Sequence, residues 1–144
     1  MFGIFKINPY LCSIKTKITA TRVAQNRLNM NKKNIITALM TIAAANADGF
    51  TVSAKTLQPI TRGFAVAFAE TQNSFEAAGL ERVISFAAEN AEVNAFGGWL
   101  NLENNKFYFD AVAVVEDLQT AYLLAYRNKQ IAFFDLEMGV EIRM

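Results

Sequence analysis

Apolar residues Ile35, Leu39, Ile42 and Ala43 recur every three or four positions with alanines between them, which predicts an amphipathic helix over Asn31 to Ala47. Asp48-Gly49 ends it, and the spacing then drops to two. Phe50, Val52 and Ala54 alternate with Thr51, Ser53 and Lys55, the period of a half-buried strand. Pro59 separates that strand from a second one over Gly63 to Glu70. In the second strand Phe64, Val66 and Phe68 share one face while Ala65, Ala67 and Ala69 share the other, and so small a face suits the close approach of a helix.

Asn73-Ser74-Phe75-Glu76 has capping-box spacing, with Asn73 placed to cap the first amides and Glu76 to reach back, so a second helix is expected from there to about Asn90. Its apolar stripe is Phe75, Leu80, Val83, Ile84, Ala87 and Ala91. A hairpin follows. Gly97 to Leu102 and Lys106 to Asp110 flank Glu103-Asn104-Asn105, and asparagine tolerates the positive φ that tight turns demand. The second arm continues through Ala111 to Val115, a β-branched run fitting a strand covered on both faces. Glu116-Asp117 supplies first-turn charge and a cap for a third helix with Leu118, Ala121, Tyr122 and Ala125 buried, and Arg127 and Lys129 suit its end. Gln130 to Leu136 reads as a buried strand, making Phe107 to Leu136 a β-α-β unit with parallel strands, and Val140 to Met144 as a short final strand. The predicted fold is α+β, order α-β-β-α-β-β-α-β. Its mixed, largely antiparallel sheet has about five strands with the helices on one face.

Composition fits one domain with a single core: 144 residues, 53% hydrophobic and 19% charged. The longest apolar stretches, Ile35 to Ala45 and Ala111 to Val115, fall short of the roughly 20 residues that cross a bilayer. Charge divides the chain. Met1 to Arg62 carries nine Lys/Arg against Asp48, leaving +8, whereas Gly63 to Met144 carries five basic and twelve acidic residues, leaving −7. Residues 1–29 hold Lys6, Lys15, Lys17, Arg22 and Arg27 with no acid and no sustained period, so they read as a basic leader before a domain over 30–144. Its acid-poor composition matches a transit peptide, its broken apolar run does not match a secretory segment, and Met30 would also serve as a start. A flexible or loosely docked arm is the expectation. The lone Cys12 excludes an internal disulfide and leaves a cytoplasmic setting as the default.

The absence of histidine removes the commonest general base, the commonest zinc ligand and every Ser/His or Cys/His catalytic pairing. With Gly97-Gly98 alone there is no phosphate-binding loop, so no cofactor is expected. Asp110, Glu116, Asp117 and Asp135 fall near strand ends of the β-α-β unit, and Asp110 with Asp135 would form the oxygen-ligand site of a metal-dependent enzyme. Their ordinary reading is a helix cap, first-turn charge and strand termini. Trp99 and Tyr108, with Asn101 and Lys106 nearby, are the candidate binding residues, because aromatics on a sheet face anchor protein partners or stack bases. Alternation puts Phe107 and Phe109 on one face and Tyr108 and Asp110 on the other, without saying which is core. Lys15, Lys17, Arg22, Arg27, Lys32 and Lys33 are the candidates for nonspecific contact with nucleic-acid phosphates.

The stretch Gly49 to Leu136 resembles small α+β proteins carried by phages and mobile elements of gut Bacteroidetes-type bacteria. The resemblance rests on Asp48-Gly49-Phe50-Thr51-Val52, Gly97-Gly98-Trp99-Leu100-Asn101, Lys106-Phe107-Tyr108-Phe109-Asp110 and Gln130-Ile131-Ala132-Phe133-Phe134-Asp135-Leu136. It implies a setting and no catalytic residues. The expectation is a non-enzymatic accessory protein acting through a protein partner or self-association, in the host cytoplasm or as a minor virion component. A carboxylate-based metal enzyme and a leader-mediated nucleic-acid binder are the alternatives.

Overall fold

The computed structural model describes residues 32–144. The leader and Cys12, with Lys15, Lys17, Arg22 and Arg27, lie outside the described residues. Helix α1 (32–45) is followed by strands β1 (Phe50–Ser53) and β2 (Phe64–Ala67), a 3₁₀ turn (Ala69–Thr71) and a two-residue strand β3 (Ser74–Phe75). Then come α2 (Glu76–Glu89), β4 (Ala95–Asn101), β5 (Lys106–Val115), α3 (Leu118–Arg127), β6 (Ala132–Asp135) and β7 (Val140–Arg143). The fold class is α+β, and every strand pairing among the described residues is antiparallel.

Among the described residues the sheet has seven strands in the order β1-β4-β5-β2-β6-β7, with β3 also on β5, rather than about five. The β5-α3-β6 unit exists, but its strands are not neighbours: β2 lies between them, antiparallel to both. The predicted hairpin is there, with Asn101 paired to Lys106 and Asn105 at φ 57°. The three described helices bury against one face, where Leu39 and Ala43, then Leu80, Val83 and Ile84, then Ala121, Leu124 and Ala125 join Val52, Val66, Phe96, Phe109, Ala113 and Phe133 in one core. Gly98 makes part of this packing possible. A Cβ there would stand 2.6 Å from one ring carbon of Phe50 and 2.8 Å from one of Phe107, whose rings stack at 5.9 Å.

Several local expectations change. The small-residue face of β2 lies under no described helix, since Phe64 and Val66 face the helices and Ala65 joins a separate cluster with Ala95, Val112 and Val114. Asn73 and Glu76 form no capping box. Ser74-Phe75 is drawn into the sheet opposite Phe109 and Tyr108, α2 starts at Glu76 without a side-chain cap, and a Glu76 carboxylate oxygen accepts the Phe107 amide at 3.4 Å. In α3 Asp117 does cap, accepting from the Thr120 amide and hydroxyl, both at 2.8 Å, which holds its carboxyl below the ordinary value. Leu118 and Tyr122 stay partly exposed there, and Leu124 takes the buried position instead.

Where β2 leaves β5, side chains replace the missing ladder. Phe68 N–H still reaches the Ala111 carbonyl at 3.0 Å, but the chain then bulges away, and Thr71 Oγ1 accepts the Ala111 amide at 3.0 Å. Ser74 Oγ donates to the Thr71 carbonyl at 2.7 Å. Arg82 on α2 clamps the bulge, donating to the Glu70 and Gln72 carbonyls and to Ser74 Oγ at 2.6, 3.3 and 2.8 Å. On the opposite edge of β5 the Asn94 side chain serves the same purpose, its Oδ1 accepting the Val114 amide at 2.9 Å and its Nδ2 donating to the Val114 carbonyl at 3.3 Å.

Candidate functional site

Because side chains alternate along a strand, burying Phe107 and Phe109 under the helices sends Lys106, Tyr108 and Asp110 to the opposite face. Register does the rest. Trp99 on β4, Tyr108 on β5 and Phe75 on β3 stand side by side, with Trp99 and Tyr108 stacked at 5.2 Å and Tyr108 and Phe75 tilted at 5.3 Å. Trp99 is 43% exposed, large for a tryptophan in so apolar a chain. Two polar contacts fix the row: Asn104 Nδ2 donates to the Tyr108 hydroxyl at 2.8 Å, and Lys106 Nζ lies 4.3 Å from the Phe75 ring centre. The second is a cation–π contact already made within the fold.

One residue pair further along β5, Asp110 stands opposite Gly97 of β4 and beside the bulge where β2 has departed. Gly97 contributes no side chain and the bulge none of the ladder, so the carboxyl lies on the floor of a depression of about 550 Å³. Trp99, Tyr108 and Asn101 line one side of it; Gln72, Gln130 and Glu141 are among the other lining residues. Burial pushes the Asp110 carboxyl above its ordinary value, because taking a charge out of water penalises the ionised form. No ion pair to Asp110 is formed among the described residues.

Trp99, Tyr108, Asn101 and Asp110 are therefore brought together, with Lys106 at the rim on the same face. Asp135 is not among them. It lies on the helix side of β6, where Oδ1 accepts the Glu137 and Met138 amides, both at 3.0 Å, to close the β6–β7 turn. Asp110 and Asp135 thus lie on opposite faces, and among the described residues no group of three or more His, Cys, Asp or Glu side chains could hold a metal ion. Lys32 is tied to α2, donating to Ser85 Oγ at 2.7 Å with Glu81 at 3.6 Å, whereas Lys33 is exposed. Sequence reasoning missed Phe75, Gln72 and Glu141. Phe75 falls within the predicted helical stripe, and the other two reach the depression only through sheet order.

Among the described residues no helix is long and apolar enough to cross a membrane. Compared with known proteins, the chain matches no family model, no curated protein and no solved structure.

Proposed function

We propose that this protein is a binding module whose sheet face opposite the described helices takes a cationic, extended segment of a protein partner, in the phage or mobile-element setting that the resemblance implies. The observation that supports this most is a half-buried Asp110 carboxyl beside the stacked pair of exposed Trp99 and half-buried Tyr108, with no cation on it among the described residues. A desolvated carboxylate gains most from an opposite charge, and the faces of Trp99 and Tyr108 attract the same guanidinium or ammonium group. Gln72, Gln130 and Asn101 add amide donors and acceptors along the walls, where a peptide backbone would lie. The reading involves recognition and no bond chemistry.

Trp99 is the only tryptophan, so intrinsic fluorescence reports this site directly. Titrating the full chain with short Arg- or Lys-containing peptides should shift that emission saturably, while norleucine counterparts leave it unchanged. Asp110→Asn should weaken binding by about 10-fold, the scale of one partly desolvated charge contact. Basic residues 1–29 carry such cations themselves. Changing Lys6, Lys15, Lys17, Arg22 and Arg27 to Gln separates a ligand in trans from occupation by the chain's own segment: tighter peptide binding in that variant identifies the latter. Emission that ignores every cationic peptide at millimolar concentration, in both chains, refutes the reading.

A further inference from the structure

The two ends of the sheet are finished differently. Outside β1 the loop over residues 54–63 folds back as an extra partner: Ser53 and Ile60 amides donate to the Gln58 and Thr51 carbonyls, both at 2.9 Å, and Val52 bridges to Pro59. Outside β7 no described strand follows. An unpaired edge is a template for a further strand unless it is blunted. The β7 edge also keeps apolar side chains at its open rim, Val140 and Met144 being 48% and 49% exposed.

The sequence of that edge, Val140-Glu141-Ile142-Arg143, is complementary to itself. Met144 N–H donates to the Ile131 carbonyl at 2.9 Å, and hydrogen-bonded pairs alternate along an antiparallel ladder. The amides of Val140 and Ile142 therefore turn inward to β6, and those of Glu141 and Arg143 turn outward. We infer that β7 pairs with β7 of a second copy, antiparallel about a two-fold axis through Ile142, joining two seven-stranded sheets into one. In that register Glu141 of each copy lies opposite Arg143 of the other, at the positions whose backbone groups point outward. All four ladder bonds and both ion pairs form together. Glu141 and Arg143 already lie on the same side, 3.4 Å apart within one strand, and pairing exchanges that exposed contact for two across the interface. On the other side Ile142 meets Ile142 of the second copy, and Val140 meets Met144. A shift by one residue would oppose Glu141 to Ile142 and break every one of these matches, so the register is specified by charge as well as by the pleat.

Light scattering after size exclusion, followed across concentration, tests this on the full chain. The wild-type protein should dimerise. Glu141→Arg sets two guanidinium groups against each other at both cross-strand pairs and should weaken the dimer by about 10-fold or more, as like charges directly across a strand pair repel. Arg143→Glu does the same with two carboxylates. The double variant Glu141→Arg/Arg143→Glu restores complementarity and the dimer. Mixing the two single variants should yield a dimer containing one of each, because one chain then presents arginine at both positions and the other presents glutamate at both. Circular dichroism of each variant confirms that these exposed changes leave the fold intact. A wild-type chain that stays monomeric at millimolar concentration overturns the inference, and so does a dimer indifferent to the single reversals or one that mixing fails to restore.

Discussion

Thr71→Val tests the account of how β5 exchanges one neighbour for another. The substitution keeps the shape of the side chain and removes its oxygen. Thr71 and Ala111 are both fully buried, and the Ala111 carbonyl already points toward Phe68, so its amide points the same way, into the bulge and away from β4. Without Oγ1 that amide loses its partner, at a cost of about 1–3 kcal/mol for a buried unsatisfied donor. The added methyl returns about 0.8 kcal/mol of apolar burial. A net loss of up to about 2 kcal/mol is expected, seen in urea as a lower midpoint with an unchanged m-value. Amide exchange supplies the finer test. Protection at Ala111 should fall in Thr71→Val and persist in Thr71→Ser, which keeps the hydroxyl while giving up the methyl. Stability within about 0.5 kcal/mol of wild type, with Ala111 still protected, would refute the assignment of Thr71 as the replacement for the ladder.

Asp110→Asn should stabilise the protein at neutral pH. The native carboxyl titrates above its unfolded value, so wild-type stability falls as pH rises from the ordinary carboxylate range through the native pKa, then levels; the asparagine variant lacks that loss. The gap between the two chains, followed by denaturation across pH, should therefore close in acid and open toward neutrality. Gly98→Ala should destabilise by about 1–3 kcal/mol in urea, because its Cβ would press on the rings of Phe50 and Phe107, which are themselves stacked against each other.

Much of the local structure is legible in the residues themselves, because helix, strand and turn signals depend on neighbours a few positions away. Three- and four-residue spacing through Leu39 and Ala43, alternation through Phe64 and Val66, asparagines at the 101–106 turn and Asp117 before α3 each name an element without reference to the rest of the chain. Alternation also ties Tyr108 to Asp110 and sets both against Phe109. What it leaves open is which set is covered, since period two is the same seen from either side. The helices decide that, and with it the whole candidate site.

Pairing is the other decision made only in three dimensions. Nothing near Phe64 announces that β2 will lie between β5 and β6, a choice fixed by contacts between residues as distant in the chain as Phe64 and Val115. Ser74-Phe75 shows how strongly such contacts act. Its capping-box spacing favours a helix start, yet β5 beyond the bulge lacks a partner at Phe109 and Tyr108, and two residues of strand satisfy it. Gly79 lets α2 settle onto them, for a Cβ there would fall 2.4 Å from the Ser74 carbonyl carbon. That rearrangement carries Phe75 into the aromatic row. Local pattern alone places Trp99, Tyr108 and Asp110 on one hairpin. Pairing across the fold gives them a common face opposite the described helices, because backbone groups left open by one strand must be met by whichever segment the core brings beside them.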